Sequence, residues 1–358
     1  MRTGFARVAR CALVLLAWVA GSGCSGLVEV GDGPSLDSTE PLAVGRPKRD
    51  GGVPGGGKPG GGGGTPDGGG GGTPDGGTGG GGWSFGEPAR WLSYYGSASR
   101  MGDLSRVAAE FRVINVDADP ATGNFTPAQL AALKAGGQNR VISYLNLGSC
   151  ETWRSYWSSA PVGLVPCSRN TAAHLGAYQG YEDEMWMNPG NLAYQALILD
   201  HVATRLANQG VDGFFLDNLD VLQHPSCDPS CVQGGLDLVR RLRERFPGLL
   251  LVMQNATSDV TRLGMTGGVP FATLLDGISR EEVYAPTYEP AAEEQLLAWK
   301  AMGLWPGHPF WIATEDYVGS CSNTEAARTA YQRSRAHGFS PYATDASAGQ
   351  QVICYWPF

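Results

Sequence analysis

Short apolar runs alternate with amphipathic segments over residues 83–358. Eight runs have the length and composition of buried strands, at 91–95, 112–117, 141–147, 211–217, 249–254, 276–282, 310–314 and 339–344. Five segments between them carry apolar residues at helical spacing, at 127–135, 192–208, 232–246, 291–302 and 324–337. Alternation of strand and helix through a whole domain indicates a parallel sheet with right-handed crossovers.

The strand count and the domain length favour a (β/α)8 barrel, whose usual size is about 250 residues. A doubly wound open sheet is the alternative, but it usually carries a glycine-rich phosphate turn after its first strand. The residues at 96–99 read Gly-Ser-Ala-Ser, which is not such a turn. We therefore predict an α/β fold with a single TIM-barrel domain over 83–358. The long loop at 148–190 is predicted to be functional.

Residues 1–82 differ in composition from this domain. Basic residues precede an apolar run at 11–20 that is too short to span a bilayer, and small residues then lead to Cys24. Residues 1–24 therefore resemble a signal peptide with a lipobox-like end, and we predict lipidation of Cys24, with plain secretion as the alternative. Residues 51–82 hold 21 glycines in 32 positions, so 25–82 is predicted to be a disordered Gly/Pro-rich linker. We expect an extracytoplasmic protein that meets the membrane only through a lipid anchor.

Six cysteines lie in the predicted barrel, and an even number in an exported domain indicates disulfides. They are Cys150, Cys167, Cys227, Cys231, Cys321 and Cys354. Of the fifteen possible pairings, proximity favours Cys150–Cys167, Cys227–Cys231 and Cys321–Cys354. A metal site is the alternative for the cysteines at 227 and 231, but no second pair or histidine cluster matches them, so no metal is expected.

The formal net charge of −8 argues against nucleic acid as a partner. The domain contains no phosphate-binding loop, no His-Glu-x-x-His zinc motif and no Gly-x-Ser-x-Gly nucleophile motif. We therefore expect no cofactor, and we expect a monomer.

Polar and acidic residues gather where the predicted strands end, and in a TIM barrel this end carries the active site. They are Asp117, Tyr144, Asn146, Asp217, Asn218, Asp220, Asn255, Glu281, Glu282 and Glu315. Hydrolysis of a glycosidic bond needs one carboxyl group to protonate the leaving oxygen and a second to act as nucleophile or base. We predict that Asp217 and Glu281 form this pair and that the other residues bind substrate.

Each of these residues also has a structural interpretation. Asp217 would then be a buried acid bonded to loop amides, and Asp220 would cap the following loop. Because Glu281 and Glu282 are consecutive on a strand, only one of them is expected to face the barrel mouth. Trp153 and Trp186 in the long loop are predicted to stack on sugar rings, with packing over the barrel as the alternative.

Three segments carry a resemblance to a known family. The stretch at 141–149 with Trp153 after it, the stretch at 213–220 and the stretch at 276–282 resemble glycoside hydrolase family 114. The resemblance implies a secreted TIM-barrel endo-α-1,4-polygalactosaminidase, which cuts galactosamine-containing polymers. It matches Asp217 and Glu281 to the family's acidic pair, and it matches pocket positions to Asp117, Tyr144, Asn255 and Glu315.

The chain departs from the family pattern at two places. The first strand reads Trp-Leu-Ser-Tyr-Tyr where Trp-x-Trp-Gln is common, and residues 186–188 read Trp-Met-Asn where Trp-x-Asp is common. Both departures bring the chain closer to a related barrel branch of the same superfamily. We predict an exported, endo-acting glycoside hydrolase that cleaves an amino-sugar polysaccharide. The alternatives are a non-catalytic cell-surface carbohydrate-binding barrel and a hydrolase for another glycan, such as a peptidoglycan-like one.

Overall fold

Eight parallel strands form one sheet in chain order, and this sheet closes nearly into a barrel. In the computed structural model, which describes residues 89–304, 310–345 and 349–358, the strands are β1 Trp91–Tyr94, β2 Val113–Val116, β3 Arg140–Asn146, β4 Gly213–Asp217, β5 Leu250–Gln254, β6 Gly277–Glu281, β7 Trp311–Tyr317 and β8 Ser340–Thr344. At the seam, Trp91 Nε1 on β1 donates to the carbonyl oxygen of Ser340 on β8 at 2.9 Å. The predicted (β/α)8 barrel is confirmed.

The predicted signal peptide, the lipidation site Cys24 and the linker at 25–82 lie outside the described residues. No helix in the described part of the chain is long and apolar enough to cross a bilayer.

Helices begin at capping residues that the sequence supplies. Thr126 and Gln129 form a reciprocal capping box, and Asp228 accepts a hydrogen bond from the Cys231 amide at 2.9 Å. The helices are Ala98–Met101, Leu104–Glu110, Pro127–Leu133, Ser155–Ser158, Leu192–Ala196, Thr204–Asn208, Pro229–Arg245, Asp259–Arg262, Pro290–Lys300 and Thr324–Ala336. A π-helical segment, Leu197–Ala203, makes 192–208 continuous. Short 3₁₀ turns span Ala135–Gly137, Cys167–Arg169, Thr171–Ala173, Leu219–Gln223 and Phe271–Leu274.

Aromatic rings fill the inside of the barrel below its mouth. The ring of Trp91 meets the ring of Trp311 edge to face at 5.5 Å, and Tyr342 and Phe215 lie 5.8 and 6.2 Å away. Because side chains alternate along a strand, Asp217 faces the same interior one layer above Phe215. The apolar plug therefore lies beneath a polar layer at the carboxyl ends of the strands.

The long loop after β3 contains a small sheet of its own. Its antiparallel strands Ser149–Glu151, Tyr181–Met187 and His174–Tyr178 pair in that spatial order. The Met187 amide donates to the Gly148 carbonyl at 2.8 Å, so the two ends of this excursion meet. A second, two-stranded piece, Met265–Thr266 with Val269–Pro270, lies between β5 and β6.

Three disulfides connect the cysteines as predicted. The pairs are Cys150–Cys167, Cys227–Cys231 and Cys321–Cys354, with Cα–Cα distances of 6.5, 5.2 and 5.1 Å. The first fixes the small sheet of the long loop, and the last ties the segment after β7 to the C-terminal residues.

Candidate active site

The two predicted catalytic acids end two strands of the barrel. Asp217 is the last residue of β4 and Glu281 the last residue of β6, with β5 between the two strands. Asp217 is in register with Asn146, and Glu281 is in register with Glu315. All four side chains are buried, Asp217 to 1% exposure and Glu281 to 3%. The barrel therefore gathers four predicted residues in the polar layer at its mouth.

The carboxyl group of Glu281 is held on both oxygens. Asn255 Nδ2 donates to Oε2 at 2.5 Å, while the Tyr317 hydroxyl and Gln350 Nε2 donate to Oε1 at 2.5 and 3.1 Å. Burial, reinforced by the Glu281 carboxylate, raises the pKa of Tyr317 well above its usual value, so this hydroxyl keeps its proton and donates. The Asn255 amide is itself oriented, because its Oδ1 accepts from the Glu281 backbone N–H at 3.0 Å.

A hydrogen-bond network lies beside Asp217. Asn146 Nδ2 donates to the Tyr144 hydroxyl at 3.1 Å and to Ser149 Oγ at 2.7 Å. Asn218, which follows Asp217, donates to the same Ser149 Oγ at 3.0 Å. Ser149 in turn donates to Glu184 Oε2 at 2.7 Å. Tyr144, Asn146 and Asn218 are therefore brought together, and the long loop supplies their partners.

Asp117, which follows β2, belongs to a buried ion-pair network. Arg154 Nη1 donates to its two carboxylate oxygens at 3.0 and 3.1 Å, and both residues are buried. Burial opposes the charge of Arg154, but the carboxylates of Asp117 and Glu151 outweigh it and hold the pKa of the guanidinium well above its usual value. Glu151 also accepts from the Tyr144 hydroxyl at 3.1 Å, which links this network to the rim.

The residue that follows each of β4, β5 and β6 has a left-handed backbone. Asn218, Asn255 and Glu282 have φ values of 60°, 62° and 56°. Asparagine accepts this region more easily than other non-glycine residues do, whereas a glutamate there is strained. Unusual backbone of this kind concentrates at functional sites.

Glu282 and Asp220 lie at the edge of the site with Arg280. Burial, together with the Glu281 carboxylate, raises the pKa of Glu282, whose side chain is half-buried. Burial lowers the pKa of Arg280, and the carboxylate of Asp220 acts in the opposite direction. Arg280 Nη1 donates to the Asn255 carbonyl at 2.6 Å. This edge carries more carboxyl groups than cations.

Aromatic rings from the long loop stand beside Asn218. Trp186 stacks on Tyr178 with ring centroids 3.9 Å apart, and Tyr181 lies 4.7 Å from Tyr178. The Tyr178 hydroxyl reaches Asn218 Oδ1 at 3.5 Å. Trp153 is 40% exposed and stacks on the Arg154 guanidinium at 4.1 Å. The two predicted tryptophans thus belong to different parts of the rim, and both are partly accessible.

A further buried acid, Asp316, faces away from the mouth. Its Oδ1 accepts from the backbone amides of Tyr284 and Ala285 at 2.6 and 2.9 Å. Burial raises the pKa of Asp316 to about 7, although these amide donors lower it. Asp316 therefore anchors the loop after β6 from outside the site.

Within the described residues, no group of three or more His, Cys, Asp or Glu side chains is arranged to hold a metal ion. The predicted residues nevertheless leave out several that the structure brings to the site. Glu151, Glu184, Arg154, Tyr317 and Gln350 all contact predicted site residues or their partners. Tyr317 is one of the aromatic residues that the sequence offers for stacking on sugar rings, but nothing in the sequence marks it as a donor to Glu281, and nothing marks Gln350.

Sequence comparisons match this chain to a family model and to a relative. The model of glycoside hydrolase family GH114 matches residues 81–265, a range that contains Asp217 and ends before Glu281. An uncharacterized protein of Deinococcus radiodurans is 28% identical over 253 residues, which are 66% of this chain and 74% of the relative.

Two solved structures share the fold. The glycoside hydrolase domain of PelA from Pseudomonas aeruginosa is 18% identical, with a TM-score of 0.58 over 75% of this chain and 98% of that one. Aspergillus fumigatus Ega3, solved in complex with galactosamine, is 15% identical, with a TM-score of 0.56 over 76% of this chain and 97% of that one. At these identities the likeness concerns the fold.

Proposed function

The chain belongs to glycoside hydrolase family GH114, and from that premise we propose that it hydrolyses an amino-sugar polysaccharide with Asp217 and Glu281 as its catalytic carboxyl groups. The observation that carries the proposal is the pair of buried acids at the ends of β4 and β6. Paired carboxyl groups across a scissile bond are what glycoside hydrolysis requires. The binding of galactosamine by Ega3 supports the choice of an amino sugar.

In the proposed reaction, one acid protonates the leaving oxygen and the other attacks the anomeric carbon or activates water. The three donors on Glu281 hold its carboxyl group in one orientation, which keeps it aligned with the bond that breaks. Asp217 works from the other side of β5. The acidic edge formed by Asp220 and Glu282 suits a substrate that carries ammonium groups.

The proposed substrate-binding residues lie at the rim of the barrel mouth. We propose that Trp153 and the Tyr178–Trp186 stack carry sugar rings, because partly exposed aromatic faces bind the apolar faces of sugars. A chain of such platforms suits binding within a polymer, which is the basis for endo cleavage. The three disulfides support action outside the cytoplasm, where such bonds persist. Lipidation of Cys24 and a monomeric state remain predictions.

The test is release of reducing ends from N-acetylated and de-N-acetylated galactosamine polymers. Asp217→Asn and Glu281→Gln should each lower kcat by about 10²-fold or more, because each removes one proton-transfer or nucleophilic group. Glu294→Gln is the matched control, since this glutamate lies exposed on the helix Pro290–Lys300. Activity of either site variant close to that of the wild type would contradict the proposed pair.

Two outcomes concern the wild type itself. Faster cleavage of one of the two polymers would show which acetylation state the enzyme prefers in its substrate. Binding of a glycan without any cleavage, across these polymers and a wider panel, would replace the hydrolase with a carbohydrate-binding barrel.

A further inference from the structure

Gln350 reaches the site from the segment that follows the last barrel strand. Its side chain is buried to 1% exposure, and its backbone is left-handed with a φ of 47°. Its carbonyl oxygen accepts from the Tyr95 amide at 2.8 Å, which fixes this segment to the end of β1. A polar side chain this deeply buried needs partners for its amide group.

The partners of Gln350 fix the orientation of that amide. Asn115 Nδ2 donates to Ser93 Oγ at 3.0 Å, so the Ser93 proton is directed to its other neighbour, Gln350 Oε1. Nε2 therefore faces the opposite way, where it donates to Glu281 Oε1 and to the Tyr317 hydroxyl, each at 3.1 Å. Both N–H groups of the amide point at the Glu281–Tyr317 pair.

We propose that Gln350 is a positioning residue that holds Glu281 in its working orientation, a role that rests on the proposed function of Glu281. Asn255 secures Oε2 from β5, and Gln350 with Tyr317 secures Oε1 from the far side. Without the Gln350 amide, Oε1 keeps only the Tyr317 hydroxyl of these two donors, and that hydroxyl loses the donor that orients it, so the carboxyl plane can rotate. Misplacement by about 1 Å can lower activity about 10²-fold. An amide suits this position because it donates without adding charge next to the acid.

A purely structural role makes different predictions. The backbone bond from Tyr95 to the carbonyl oxygen at 350 persists whatever the side chain is, so the segment keeps its attachment in side-chain variants. The titratable groups around Glu281 are Arg280 and Glu282 on the same strand end, Glu315 and Tyr317 on β7, and the proposed partner acid Asp217 at the end of β4. They stay the same in every variant, so differences in the pH profile report the residue at 350.

The experiment compares Gln350→Ala and Gln350→Glu with Gln351→Ala. Gln351 is the same residue type one position on, and its side chain contacts Arg100 near the surface, with 2.9 Å between Oε1 and Nη1. Gln350→Ala should lower kcat about 10–100-fold and leave KM within about threefold, because orientation and not substrate contact is lost. Gln351→Ala should behave as the wild type.

Gln350→Glu should move the pH profile upward. It sets a second carboxyl group about 3 Å from Glu281, and two carboxyl groups sharing one site raise one of their pKa values. The two groups then titrate as a coupled pair that holds one proton to higher pH, so the limb of the profile to which this pair contributes shifts upward by about one unit or more. Thermal unfolding of each variant confirms that it is folded; the near-isosteric Gln350→Glu serves if Gln350→Ala is not.

The same question can be answered without a substrate. The carboxyl carbon of Glu281, labelled with ¹³C and assigned by its loss in Glu281→Gln, can be titrated by NMR in the wild type, Gln350→Glu and Gln351→Ala. An upward shift confined to Gln350→Glu supports the direct contact between residue 350 and Glu281 on which the positioning role depends, even if the wild type cuts no glycan, a result that would overturn only the proposed function. Identical titrations in all three proteins, or wild-type kcat in a folded Gln350→Ala, would overturn the positioning role.

Discussion

Gly148 lies where the exit of β3 meets the turn after β4, so an alanine there measures how tightly the rim around Asp217 is packed. The added Cβ would lie 2.7 Å from the carbonyl carbon of Asn218 and 2.9 Å from Val221 Cγ1, and it would overlap the Asn218 carbonyl oxygen. Carbon atoms in contact normally lie about 3.5–4.0 Å apart, so the backbone at 218 must move by about 1 Å. Asp217 precedes that residue and would move with it.

The expected effects of Gly148→Ala follow from this displacement. Overpacking of this kind costs about 1–3 kcal/mol, and each kcal/mol lowers the Tm of a domain of this size by about 2–4 °C. If Asp217 is catalytic as proposed, moving it by about 1 Å should lower kcat/KM about 10²-fold. Thermal unfolding followed by circular dichroism measures the first effect, and reducing-end release measures the second.

Gly248→Ala is the control, because no atom lies within 4 Å of the Cβ that it would add. It should keep the wild-type Tm and activity. If Gly148→Ala also kept both, the close approach of the two strand exits would not constrain Asp217, and the reasoning from packing would be refuted.

Two further predictions concern buried charge. Burial raises the pKa of Asp316 to about 7, so the folded protein keeps a proton there that the unfolded chain releases above about pH 4. Proton binding by the folded state therefore adds stability in full at low pH, and this contribution is lost as the pH rises from about 4 to 7. Urea unfolding should therefore show Asp316→Asn gaining on the wild type between pH 4 and 7; a constant difference would contradict the shift. Arg154→Met should cost about 3–5 kcal/mol because it leaves Asp117 buried without its cation. Arg262→Met breaks a pair with an exposed partner and should cost less than about 1 kcal/mol; equal losses would count against the argument.

The barrel could be predicted because most of its strands contain short apolar runs and alternate with helical segments, and the differences in strand bounds have physical reasons. The fourth strand was predicted from 211 but begins at Gly213, since the Asp212 carboxylate accepts from the Val141 amide at 2.8 Å and ends the preceding turn. The seventh was predicted to end at 314 but continues to Tyr317, because its last residues are buried acids and an aromatic that look like a polar loop.

The helix predicted to begin at 232 begins at Pro229, and the sequence does contain a signal for that earlier start. Asp228 caps the first turn and proline occupies the first helical position, a combination typical of a helix start. The small sheet inside the long loop had no such signal. Its register has irregularities between His174 and Gly176 and between Ala177 and Tyr178, so apolar and polar residues do not alternate cleanly along it.

Some residues of the candidate site could also be predicted from the sequence, and others could not. Residues directly at strand ends, such as Asp217 and Glu281, follow from the strand pattern, because the carboxyl ends of parallel strands share one edge. Gln350 does not, since its partners Ser93 and Glu281 are 257 and 69 residues away in sequence. Arg154 was hidden for a similar reason: its charge is matched only after the long loop folds back onto β2.

The left-handed residues that follow β4, β5 and β6 lower the stability of the protein while they fix the backbone of the candidate site at the barrel mouth. Each such conformation costs on the order of 1–3 kcal/mol, and the cost is greatest for Glu282, which has neither the short side chain of asparagine nor the freedom of glycine. Selection for durability alone would therefore act first on these three positions. Variants recovered in that way would survive longer at high temperature and turn over more slowly, since relaxing the backbone at 282 releases the neighbouring acid at 281 from its place.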